Sequence, residues 1–232
     1  VINAELYKKI ISEDDVYHTE SVETVKRYIE EDLKGFYEKT LFIRGENISD
    51  EGMTGNKIYF VERGKVIFLR KDPYGKEYSN GYAMPGEFFG ISSLVDMPHE
   101  VGFRALTNCN VYVIDAAGVK AVMGNNPVVK DHINKILIGT LRLLVVRQGN
   151  LIMCGCRATF VNFIKEHFKH YGKLDEKENV TVSLDVNLAD IAVILNTTRE
   201  TLSRIISEMR KEGIIDTKRK FIKIIDLDRF VL

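Results

Sequence analysis

The chain has 232 residues, 45% apolar and 28% charged, which is enough for two globular domains with real cores. Lys and Arg total 33, as do Asp and Glu, so a chain-wide basic field is excluded and a local one is not. Three Cys and no signal-peptide pattern argue against a disulfide framework and for a reducing cytoplasm; the longest apolar stretch, Ile136 to Val146, is too short to cross a membrane.

Residues 1 to about 35 read as helical, with Val22, Val25 and Ile29 at spacings of three and four among charged neighbours. From Thr40 to Asp115 the texture changes to short β-rich runs: TLFI, KIYFV, KVIFLR and NVYVID. Gly45, Gly64, Pro73-Tyr74-Gly75, Pro85-Gly86 and Gly90 punctuate them. Many short strands with closely spaced Gly predict a small antiparallel barrel or roll. Pro127 suits the start of a helix, where a missing N–H costs nothing. From Val128 to Met153 an apolar stripe predicts one long helix. The stripe is wider than a single solvent-facing helix needs, which favours a homodimer seam over an ordinary core helix.

Beyond Cys156 the pattern gives a helix from Ala158 to His170, a charged loop from Gly172 to Asn179, and the run VTVSL. Asn187 to Leu195 and Thr198 to Lys211 then read as two amphipathic helices across a two-residue turn, and Gly213 ends the second. Ile214-Ile215 and Phe221 to Ile225 form a terminal hairpin. Two short helices at a tight turn followed by a hairpin predict a winged helix-turn-helix.

The second of these helices carries Arg199, Glu200, Ser203 and Arg204 opposite its apolar stripe. Arg donates two bonds to guanine O6 and N7, and Glu accepts from cytosine N4, so the set suits a major groove. Glu200 also fits a capping box with Thr197-Thr198. Between Thr197 and Lys223 there are eight basic residues and four acidic ones, a local positive surplus on a neutral chain. Lys218 sits at the expected hairpin tip, within reach of phosphate.

The string NLADIAVILNTTRETLSRIISEMRKEGII resembles the winged helix-turn-helix of the CRP/FNR family of transcription regulators. Thr198 to Arg204 matches that family's Ser/Thr-Arg-Glu-Thr-x-x-Arg pattern, and Glu200-Thr201-Leu202-Ser203-Arg204 its Glu-x-x-Ser-Arg form. KIYFVERGKVIFL, MPGEFFGISSLVD and ALTNCNVYVID resemble the family's cyclic-nucleotide-binding-type β-roll. The resemblance implies an α+β chain. Residues 1–127 would form the helical segment and sensing roll, 128–153 the dimerisation helix, and 154–232 the DNA-binding domain with Thr198, Arg199, Glu200, Ser203, Arg204 and Lys218 at the duplex. It implies a non-enzymatic regulator, double-stranded DNA with a TGA-like half-site core, and RNA polymerase as partner.

In family members that bind a cyclic nucleotide, the resemblance expects a Gly-Glu pair on the ribose and Arg-Ser or Arg-Thr on the phosphate. Here Gly90 is kept, but Ile91, His99 and Glu100 occupy the other positions, and Leu144-Val145 stands where the base-facing helix pair is expected. A buried phosphate needs a fixed cation, so cyclic AMP and cyclic GMP are not expected. The pocket left would be lined by Ile91, Leu94, Leu144 and Val145, with His99 and Glu100 at its rim. A small organic effector and a constitutively active regulator both remain open.

No Cys occurs among residues 1 to 108, so the N-terminal iron–sulfur ligand set of FNR-type sensors is missing. His99 could ligate heme but reads as a solvated loop residue. Cys154-Gly155-Cys156 with His167 and His170 could make a redox or metal hinge, yet reads as ordinary thiols and imidazoles, so no cofactor is expected. Cys109 reads as strand packing. A cupin-type enzyme would need several His in the roll, which has only His99.

Overall fold

The computed structural model describes residues 21–153, 155–174, 180–218 and 220–231. Helix α1 (Val22–Asp32) opens the described chain. The Ser21 hydroxyl caps it by accepting the Thr24 N–H at 3.1 Å, and Val25 and Ile29 form its buried face.

Eight strands follow: β1 (Tyr37–Phe42), β2 (Asn47–Ser49), β3 (Lys57–Arg63), β4 (Val66–Lys71), β5 (Glu77–Ala83), β6 (Phe88–Phe89), β7 (Gly102–Ala105) and β8 (Cys109–Asp115). They pair antiparallel in two four-stranded sheets, β1-β8-β3-β6 and β2-β7-β4-β5. Between the sheets lies an interior core that includes Tyr59, Val61, Phe68, Phe89, Phe103, Val111 and Val113. Behind the first sheet lies an outer core of Ile58, Phe60, Tyr112 and Ile114 packed with Val25, Ile29 and Leu33. Strand β3 is therefore buried on both faces, which is why KIYFV shows no alternation.

Gly64, at the β3–β4 turn, has φ +97°, and a Cβ there would collide with the Asn108 carbonyl oxygen and Cys109 Cα. Only glycine lets that turn close over the start of β8. Cys109 is fully buried; its Sγ donates to the carbonyls of Lys65 at 3.0 Å and Thr107 at 3.1 Å, and burial pushes its thiol pKa up.

Helix α2 (Ala116–Asn125) is capped by Asp115, which accepts the Ala117 N–H at 2.8 Å. Helix α3 (Pro127–Met153) is the predicted long helix, and Pro127 is its first residue. The chain forms two compact units, and the division falls inside α3, between Val146 and Arg147. Ile133 and Ile136 pack on the outer core of the first unit, and Leu144 on its interior core.

In the second unit, helix α4 (Cys156–Tyr171) starts two residues earlier than expected. Buried Arg147 meets Glu166 at 2.9 Å, tying the end of α3 to α4. Then come β9 (Gly172–Leu174), β10 (Val180–Ser183), α5 (Leu188–Ile194), α6 (Arg199–Lys211), β11 (Ile215–Lys218), β12 (Phe221–Ile224) and α7 (Leu227–Val231). The expected hairpin is half of a four-stranded sheet, β11-β12-β10-β9. The start of the loop expected at Gly172 to Asn179 is strand β9, and residues 175–179 lie outside the described residues.

Candidate nucleic-acid interface and effector pocket

Helix α5 is fixed at its start by a capping box: Asn187 Oδ1 accepts the Asp190 N–H at 2.9 Å, and Asp190 Oδ2 accepts the Asn187 N–H at 3.1 Å. The turn that follows holds Asn196 at φ 48°, a left-handed conformation that Asn tolerates. The Thr197 N–H donates to the Ala192 carbonyl at 2.9 Å, closing the turn.

Thr198 caps α6. Its Oγ1 accepts the Thr201 N–H at 3.1 Å and donates to Thr201 Oγ1 at 3.0 Å. Position N3 is thus Thr201, not Glu200, and the expected capping box with Glu200 does not form. Glu200 is left exposed. Leu202, Ile205 and Met209 bury the other side of α6. Arg199, Glu200, Ser203 and Arg204 share one open face, and the structure adds Ser207, Glu208 and Lys211 to it. Those three continue the same helical rows, so their spacing carried the signal beyond the first turn and a half.

Two further contacts steady α6. Arg157 on α4 grips Glu212 with two bonds, 2.9 and 2.7 Å, and lowers the pKa of that carboxyl. Arg229 Nη1 on α7 donates to the Glu212 carbonyl at 2.9 Å. On the face itself, Arg204 Nη1 donates to Glu208 Oε1 at 2.8 Å. Lys218 is exposed at the end of β11, in register with Phe221 across the hairpin.

The expected effector pocket does not assemble as one site. Gly90, at φ +70°, turns the chain into a 3₁₀ turn (Ile91–Val95), and a Cβ on it would press on the Tyr59 ring at 2.9 Å. That turn sends Ile91 and Leu94 to the outer core, behind the first sheet. Leu94 lines an apolar cavity of about 50 Å³ there with Ile29, Val119 and Ile133. Leu144 instead packs on the interior core, and Val145 is 71% exposed. The sheet separates these residues.

His99 is corrected from a solvated rim residue to a buried one, 1% exposed. Its Nδ1 meets Ser92 Oγ at 3.1 Å, and its ring stands edge-on to Phe103 at 5.0 Å. Its Nε2 faces Gly55 and has no hydrogen-bond partner among the described residues. Burial lowers the ring's pKa, outweighing the opposite pull of Glu100, which is itself exposed. Around it Tyr59 and Phe89 stack at 4.8 Å, and Phe89 meets Phe103 at 4.8 Å. Sequence reasoning missed this aromatic set, because Tyr59 and Phe60 stand side by side in a run buried on both faces and β7 carries a single ring, Phe103.

Cys156 is exposed at the start of α4, whereas His167 is buried, with Nδ1 2.9 Å from the Phe163 carbonyl. Cys154 lies outside the described residues. No helix among the described residues is long and apolar enough to cross a membrane.

Two family models match the chain: a cyclic nucleotide-binding domain over residues 40–126 and a Crp-like helix-turn-helix domain over residues 163–231. A CRP-like cAMP-activated global transcriptional regulator of Mycobacterium tuberculosis is 23% identical, aligned over 81% of this chain and 84% of its own. The transcriptional regulator LdrP of Thermus thermophilus is 22% identical over 80% of this chain and 91% of its own. Among solved structures, FixK2 from Bradyrhizobium japonicum superposes with a TM-score of 0.72 at 19% identity, covering 84% of this chain and 95% of that one. The roll, the long helix and the exposed face of α6 thus agree with both domain matches, and the chain belongs to the CRP/FNR family of DNA-binding transcription regulators, which are not enzymes.

Proposed function

We propose that this regulator acts in the cytoplasm as a homodimer on an inverted repeat with TGA-like half-site cores. It would engage RNA polymerase there and answer to a small effector other than a cyclic nucleotide. The observation that carries the DNA reading is the common exposed face of Arg199, Glu200, Ser203 and Arg204 at the capped start of α6. Arg204 suits guanine, and Glu200 suits the cytosine N4 of a G·C pair. Thr198 holds the helix start and Lys218 reaches phosphate from the wing. The homodimer is supported by Ile138, Leu141 and Val145, exposed at spacings of three and four along α3.

The M. tuberculosis relative is named as cAMP-activated. This chain differs at the residues that would hold the phosphate: neutral His99 and acidic Glu100 replace a cation and a hydroxyl. A cyclic phosphodiester carries one negative charge over its two free oxygens, and next to a carboxylate it is repelled rather than held. A second reading, activity with no effector, is favoured by the rings of Tyr59, Phe89 and Phe103, which fill the roll between the sheets.

Selection from a randomised duplex pool tests the DNA reading: an inverted repeat with half-sites about one helical turn apart is expected. Recovery of no common sequence overturns it. Calorimetry with cyclic AMP and cyclic GMP tests the effector reading, and saturable micromolar binding that also changes DNA affinity overturns that.

A further inference from the structure

We propose that Glu208 is a specificity-determining residue: its ion pair with Arg204 sets the guanidinium for base reading and withdraws its charge from phosphate. The inference rests on the reading of Arg204 as a guanine contact. The pair spans one turn of α6, with Arg204 Nη1 2.8 Å from Glu208 Oε1. A guanidinium offers its donors along fixed edges. With Nη1 held by Glu208, the Nε–Nη2 edge has no protein partner among the described residues, and Arg204 lines the open face shared with Ser203 and Ser207. That side-on edge supplies the two parallel N–H groups that guanine O6 and N7 accept. The carboxylate thus does for Arg204 what a supporting residue does at any recognition site, reducing the orientations lost on binding.

The same pair acts oppositely on non-specific duplex. Binding without sequence preference comes from cations releasing counterions at phosphates. An Arg already neutralised by a carboxylate on its own helix contributes little to that term, and Glu208 itself repels phosphate. One residue therefore lowers the affinity for wrong sequences while leaving the right one its donors, which is discrimination built from a repulsive element as well as an attractive one.

The test compares Glu208→Gln with the unaltered full-length protein by fluorescence anisotropy, on a duplex recovered by selection and on a random-sequence duplex, from 50 to 200 mM salt. Glu208→Gln should tighten random-duplex binding about three- to tenfold and steepen its salt dependence by about 0.9 per recognition helix. The selected duplex should gain nothing or weaken, so the ratio of the two affinities falls. An unchanged or rising ratio overturns the proposal, because Glu208 would then be only a surface charge. In an Arg204→Ala background, Glu208→Gln should no longer alter the ratio; a change of equal size there overturns the coupling. Arg204→Ala alone separates the underlying reading. If it weakens both duplexes alike, guanine recognition by Arg204 fails, whatever Glu208→Gln does.

Discussion

The hydroxyl of Tyr112 donates to the carboxylate of Glu30 at 2.6 Å, joining β8, an inner strand of the first sheet, to helix α1. Lys39 Nζ donates to the same oxygen at 2.6 Å and lies 4.9 Å from the centre of the Tyr112 ring. Lys39 first, and Tyr112 second, lower the Glu30 carboxyl pKa below its ordinary value. Burial, with the adjoining carboxylate, pushes the Tyr112 phenol up to about 12. The cluster docks α1 on the outer core that Val25 and Ile29 complete.

Tyr112→Phe keeps the buried ring and removes this bond, at a cost of about 1 kcal/mol in denaturant unfolding at pH 7. Glu30→Gln tests the pH dependence. Because the folded carboxyl titrates below the unfolded value of 4.5, its contribution is present above that pH and is lost as pH falls. The difference in Tm between the two proteins should therefore shrink on acidification through pH 4.5. A constant difference would mean that Glu30 acts by packing alone.

His99 should impose a second pH dependence, higher on the scale. Its folded pKa lies below the ordinary 6.5 because burial disfavours the imidazolium. The unfolded chain then takes up a proton that the folded chain does not, so stability is full above pH 6.5 and falls as pH drops below it. Thermal unfolding of His99→Gln between pH 7.5 and 5 should show a smaller acid decline than the unaltered protein. Equal declines would show that His99 does not contribute.

The helix-turn-helix was legible because each helix shows one apolar stripe and only four residues, 195–198, join them; Leu202, Ile205 and Met209 needed no tertiary context. The pocket was not legible. Ile91 follows a left-handed Gly90, so one turn decides which side of the sheet it faces. His99 looked solvated because the loop that covers it, around Gly55, is distant in sequence. Ile58 to Val61 are all buried, so no alternation marked which rings point inward.

The α3 stripe also needed the structure to divide it. Ile136, which belongs to the apolar stripe read from sequence, packs on the outer core of its own unit. Leu141 is 53% exposed, between Ile138 and Val145 on the open side. Leu141→Asp should put two carboxylates into a dry seam, at a cost of about 3 kcal/mol or more, and give monomers with unchanged circular dichroism. Ile136→Asp should instead lower Tm. Sedimentation that finds the unaltered protein monomeric at micromolar concentration would remove the seam.

Arg204 and Lys218 should fail in opposite ways when truncated. Arg204 stands on the open face of α6 that we propose reads bases, and Lys218 is exposed at the end of β11, where the wing turns. Arg204→Ala removes two donors to one guanine, so the selected duplex should lose about 1–3 kcal/mol per half-site, with tolerance gained at that base alone. On the proposed reading, Lys218→Ala removes a phosphate contact. It should weaken selected and random duplexes by the same factor and flatten the salt dependence by about 0.9 per subunit. Anisotropy titrations on both duplexes across salt give each signature directly. A Lys218→Ala protein with an unaltered salt slope would show that the wing tip stays in solvent, and that the surplus of positive charge around it meets no phosphate.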